Sequence, residues 1–149
     1  MVVLPFQLSV QEAQEPDYAS AKGRVVAWSA VPHLSGLRAR LPELFGEKAN
    51  GLQGEGNYYY DTSVCGIGYH GDTERRRVIA IRMGDSFPLH YQWFQRSEPI
   101  GTRVILTLHH GDMYLMSDKA VGYDWGKKIV PTLRHAAGCA KFTSIKPKK

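Results

Sequence analysis

The sequence predicts a mostly β fold with minor α content, a sandwich or barrel under a short N-terminal helical cover. Two observations carry this expectation. From residue 57 onward, short runs of aromatic and β-branched residues alternate with Gly-rich turns. Only one segment, early in the chain, has helical character, and nothing in the second half reads as a helix of more than about three turns. A chain of 149 residues is most simply one domain with a real core. Residues 1–50 are expected to form a strand and helix cover of that same domain, and residues 51–149 its β core.

In chain order, "GRVVAWSAV" reads as a strand and "SGLRARLPELFGE" as a short helix interrupted or started by Pro42. "KANGLQGEGN", with three glycines and two asparagines, reads as a loop. "NYYYDTSVCGIGY", "RVIAIRMG" and "LHYQWF" read as β segments, and "TRVILTLHHGDMYLMS" as two strands joined at Gly111-Asp112. In the first of that pair Val104, Leu106 and Leu108 alternate with Arg103, Ile105 and Thr107, the pattern of a half-buried strand. "AKFTSI" is expected to be a final strand.

No apolar run approaches a membrane span, and the start lacks a cationic region, so neither a spanning helix nor a signal peptide is expected. Cys65 and Cys139 make no disulfide framework, which favours an intracellular, reducing location, cytoplasmic or nuclear. The formal charge of +5 and pI near 9.3 suit a polyanionic partner.

The chemistry-bearing stretch is "GYHGDTERRR" at 68–77. On an extended strand His70 and Asp72 point the same way, so both reach one point. A His-x-carboxylate pair with one distant histidine is the facial triad of non-haem Fe(II) oxygenases, which leaves coordination positions open. The third ligand must come from another strand, and the later histidines are His90, His109, His110 and His135. A bare His-x-Asp is also a common surface turn, so the motif alone does not decide.

The order of pieces around it adds weight. Tyr60, "IGYHGD" at 67–72, Glu74, the apolar "VIAIRMG", "LHHGDMYLMS" and "DWGKKIVPTLRHAAG" resemble, in sequence order, the AlkB family of Fe(II)/2-oxoglutarate-dependent dioxygenases. The resemblance runs from about residue 52 to 145 and leaves the first 50 residues out. It implies a double-stranded β-helix (a cupin-like jelly roll), with His70, Asp72 and His135 as ligands of Fe(II). It further implies 2-oxoglutarate and molecular oxygen as cosubstrates. The implied reaction is oxidative decarboxylation of 2-oxoglutarate coupled to hydroxylation of a C–H bond, in this family the N-alkyl group of a base in DNA or RNA.

Departures from the family pattern leave the cosubstrate residues open. No arginine follows His135, where the family uses one to grip the distal carboxylate. Lys141, with Thr143 beside it, and Arg82 are the two candidate cations, followed by Arg103 and Arg134. Counting back from His70 selects Tyr60 as the tyrosine contacting 2-oxoglutarate, with Asn57 one residue out of register. Arg75, Arg76 and Arg77, next to Glu74, are candidate phosphate contacts at the site mouth, or a solvated loop with one arginine paired to Asp72 or Glu74. Trp93, with Tyr91 and Phe94, is a candidate base-stacking residue, although neighbours on a strand cannot all face one way. The same chemistry on a protein or small molecule, and a non-catalytic basic β-barrel that binds nucleic acid, are the competing readings.

Overall fold

The computed structural model describes residues 4–9, 13–20 and 22–145, grouped into two compact units. The first, Leu4–Tyr58, holds strands β1 (Leu4–Ser9), β2 (Arg24–Ala27) and β3 (Gly54–Tyr58) and helix α1 (Pro32–Phe45). Its sheet has the order β2-β1-β3, with β1 parallel to β2 and antiparallel to β3. Pro32 opens α1 at a position where its missing N–H costs nothing. The helix is longer than the sequence suggested and carries Pro42 in its interior. It ends at Gly46, whose positive φ of 81° turns the chain while its N–H bonds the Pro42 carbonyl. The stretch read as a loop at 48–57 contains most of β3. Gly54 is required there, because a Cβ would collide with Leu8 and the Trp28 ring.

The second unit begins at Tyr59 and holds β4 (Gly66–His70), β5 (Val78–Ile81), β6 (Phe87–Gln95), β7 (Glu98–Leu108), β8 (Met113–Met116) and β9 (Thr132–Gly138). Two four-residue helices, α2 (Asp118–Val121) and α3 (Ala140–Thr143), complete it. An antiparallel four-stranded sheet has the order β4-β9-β6-β7, and β5 pairs with β8 in a second, two-stranded sheet. The core lies between them. Leu89, Met116 and Val121 are buried at its centre, with Tyr91 and Ala137 from the larger sheet and Val78 and Tyr114 from the smaller packed around.

The mostly β character with a few helices is what the sequence led one to expect, but three elements differ. The two segments of "TRVILTLHHGDMYLMS" are strands, yet they do not pair with each other. β7 joins β6 and β8 joins β5, so the Gly111 turn crosses between sheets. Nor is β7 half buried: it is the edge of its sheet, and Val104, Ile105 and Leu106 are all exposed. Finally, "AKFTSI" is not a strand. Gly138, at φ 119°, ends the β9 ladder, and the chain turns into α3, whose Phe142 lies so close over Gly66 that a Cβ there would strike its ring.

Among the described residues no helix is long and apolar enough to cross a membrane.

Candidate metal centre

The β4–β9 ladder brings the first and third expected ligands together. His70 stands directly opposite His135, their ring centroids 4.4 Å apart. The ladder is not regular. Ile67 pairs with Ala137 and His70 with His135, so Gly68 and Tyr69 together oppose Ala136 in a bulge. Were the register of Ile67 carried on unshifted, His70 would instead pair with Arg134 and face the other side of the sheet. The bulge also frees the Gly68 carbonyl, which accepts a 2.7 Å hydrogen bond from Nδ1 of His70. That bond fixes the tautomer and leaves the Nε2 lone pair available to a metal.

Asp72 completes the cluster. Its Oδ1 is 3.7 Å from Nε2 of His70 and its Oδ2 is 3.9 Å from Nε2 of His135, and one ligand atom from each residue lies within 4.8 Å of the others. These separations are too long for hydrogen bonds and enclose a common point. The loop that positions Asp72 is held by close backbone approach. Its N–H bonds the Val121 carbonyl, and Gly71 sits so tightly against the Gly122 carbonyl and Trp125 that a side chain would collide with both. Gly122 in turn has φ 75° and lies under the Leu133 carbonyl. Ser117 caps α2, so the short helix delivers Val121 and Gly122 at a fixed place.

His135 is buried, and burial, aided by the charges of His70 and Arg75, pushes its pKa down to about 4; the Ala120 carbonyl works the other way. That carbonyl faces the ring without forming a hydrogen bond, and Nδ1 is buried and unpartnered. The imidazole is therefore neutral at pH 7, the form that ligates metals. Two imidazoles from adjacent strands and one carboxylate from the loop after β4 fit a divalent transition metal.

The remaining expected site residues scatter. Arg75 turns back on the ligands, 3.7 Å from Oδ2 of Asp72 and 3.3 Å from Oε1 of Glu74. Arg76 stacks over Tyr123 at 4.2 Å, and Arg77 is exposed. The run therefore divides three ways, rather than forming one rim. Tyr60 is 52% exposed; it is Tyr59 that packs inward, on Phe87 and near Arg82. Asn57 is exposed on β3, within the other unit. Lys141 is exposed on α3, and the Thr143 hydroxyl donates to the Cys139 carbonyl, so the shared strand face expected for them does not exist. His109 meets Ser86, and His110 accepts from the Gly84 N–H; neither joins the cluster.

Beside the centre lies an apolar cavity of about 320 Å³, walled by Tyr91, Trp93, Tyr114, Leu133 and Ala120 among others. The Tyr91 ring is 6.2 Å from that of His135, so cavity and ligands share a wall. No cation lines it. Arg82 comes nearest in effect, since its charge lowers the Tyr114 pKa against the upward push of burial. Its Nε donates to the Asp85 carbonyl and its guanidinium lies 4.7 Å from the Phe87 ring. Lys119, which sequence reading passed over, lies 5.7 Å from the Trp93 ring and is already bound by Asp124 at 2.6 Å and the Pro131 carbonyl at 3.1 Å.

The chain resembles an uncharacterized protein of Acanthamoeba polyphaga mimivirus, with 53% identity over 129 residues, 87% of this chain. It spans about half the length of that curated relative, 50%. No family model matches the sequence, and no solved structure matches the fold.

Proposed function

We propose that the second unit is an Fe(II)/2-oxoglutarate-dependent dioxygenase core of AlkB type, acting on alkylated bases in nucleic acid. The observation that carries the reading is the convergence of His70, Asp72 and His135 to within 4.8 Å. The strand order supports it. Between residues 66 and 138 the chain visits the larger sheet with β4, the smaller with β5, the larger with β6 and β7, the smaller with β8 and the larger with β9. Winding to and fro between two facing sheets is how a double-stranded β-helix is built, and α3 stands where a further strand would be expected.

His70, Asp72 and His135 would hold the iron, which, when bound with its cosubstrates, supplies the oxidising power that no side chain has. The chain's own contribution is arrangement. Gly68 orients the His70 ring, burial keeps His135 unprotonated, and Arg75 lies against the Asp72 carboxylate. The cavity walled by Tyr91, Trp93 and Tyr114 offers apolar, aromatic surface suited to a flat organic ligand. Of the four cations considered for the distal carboxylate, Arg82 has the best support, because its field reaches a cavity wall. Arg103 and Arg134 belong to the opposite sheet face, and Lys141 faces solvent.

The test is succinate formation from 2-oxoglutarate with Fe(II) and ascorbate, alongside calorimetric Mn(II) titration. The parent protein should do both. Asp72→Ala and His135→Ala should do neither, His109→Ala should match the parent, and Arg82→Ala should bind Mn(II) normally while raising the KM for 2-oxoglutarate. Mn(II) binding without succinate would leave a metal centre of another class; absence of both would sink the reading.

A further inference from the structure

Strand alternation sends Arg134, the residue before His135, to the sheet face opposite the metal centre. There its guanidinium packs 4.5 Å from the Phe94 ring centroid and 5.4 Å from that of Trp125. Among the described residues it has no hydrogen bond or ion pair, and its Nε is buried without an acceptor. Burial lowers its pKa, and among the described residues no carboxylate opposes that shift. A half-desolvated cation with no counter-charge is a costly arrangement.

This guanidinium lines a cavity of about 420 Å³. Tyr69, Phe94 and Phe142 supply aromatic walls, and Glu98 and Ser97 stand at one side. Ser97 belongs to the two-residue turn between β6 and β7, where Arg96 and Ser97 have φ of 51° and 67°. Such a turn normally takes Asn-Gly; left-handed backbone in two side-chain-bearing residues is strain of the kind found at ligand sites. Arg103 adds positive field from behind Tyr69. It lies 6.0 Å from that ring, its own Nε is buried without an acceptor, and its charge acts on both Tyr69 and His90.

We propose that this cavity is a second ligand site, taking a nucleotide with an amino-bearing base, either free or as one residue of a single strand. The phosphate pairs with Arg134, the base stacks on the aromatic walls, and Glu98 accepts from the exocyclic amine. A bare inorganic anion suits the cavity poorly, since it would leave the rings unused.

The site stands apart from the metal centre, so the experiment uses metal-free protein and follows Trp125 fluorescence and calorimetry with AMP, adenosine, inorganic phosphate and a short oligo(dA). AMP should bind, with adenosine and phosphate each weaker by about tenfold or more, the range for losing a charge-assisted hydrogen bond or a stacked base. Arg134→Gln should reduce AMP to the adenosine level. Ser144→Trp, an exposed rim position, should block the cavity while keeping Arg134, and it decides the matter if Arg134→Gln does not fold. Asp72→Ala should leave AMP affinity unchanged, which separates this site from the metal centre. Tighter binding of oligo(dA) than of AMP identifies a strand as the source, and weaker binding identifies the free nucleotide. Parent-like AMP affinity in Ser144→Trp, or phosphate binding as tightly as AMP, would overturn the proposal.

Discussion

At the scale of single residues, the candidate metal centre was legible where its chemistry is local. His70 and Asp72 announce themselves by spacing, whereas His135 needed the surrounding order of segments to stand out from five other histidines. The residues that hold the ligands in place were not legible. Gly71 and Gly122 look like ordinary turn glycines until the fold lays them against each other, and nothing in a tyrosine triplet says that Tyr59, not Tyr60, packs inward. The buried His135 has a pH signature. Folding lowers the His135 pKa from 6.5 to about 4, so the unfolded chain takes up its proton first as pH falls. Its contribution to metal-free stability is complete above about 6.5 and lost by about 4, at most ~3 kcal/mol. Burial of His90 acts in the same direction. Urea unfolding midpoints across that window should fall in the parent and fall less in His135→Gln; equal slopes would place the acid sensitivity elsewhere.

At the scale of elements, strands with buried residues on both faces were read well. β6 keeps Phe87, Leu89, His90, Gln92 and Phe94 buried, and its aromatic run divides as alternation demands, Tyr91 and Trp93 toward one cavity and Phe94 toward the other. The edge strand and the last segment were misread for physical reasons. Alternation in β7 is a property of the residues, but burial depends on what covers the strand, and among the described residues no strand pairs with its outer edge. "AKFTSI" has strand-like composition, yet the positive φ of Gly138 ends the ladder first. The contact between the 70–72 loop and the end of α2 is the element-level feature most open to test. Gly71→Ala should push the loop off Gly122 and cost about 1–3 kcal/mol of stability, the range for backbone displaced by an intruding methyl. Its Mn(II) affinity should drop well beyond that of Gly126→Ala, since a Cβ at Gly126 meets nothing. Equal affinities would mean that the loop can shift without moving Asp72.

For the molecule as a whole, composition pointed to an anionic partner, but the structure distributes the charge unevenly. Arg75 is occupied at the ligands, Arg76 is stacked on Tyr123, and Arg77 is exposed. If nucleic acid is bound near the metal centre, Arg77→Gln should lower the log–log salt slope of oligonucleotide binding by roughly one unit. Arg76→Gln should lower it less, and both should leave uncoupled 2-oxoglutarate turnover intact. An unchanged slope for Arg77→Gln would remove this loop from the interface. A last consequence concerns the length of the chain rather than its spelling. Because Gly68 is a supernumerary residue in the β4 ladder, the centre depends on the number of residues in that strand as well as on their identity. Deleting Gly68 would make the ladder regular and still leave His70 facing His135, yet it takes away the carbonyl that orients the His70 ring. Mn(II) affinity should fall by about 10–100-fold, as when an outer-shell partner is lost, in a protein whose strands pair more regularly than before.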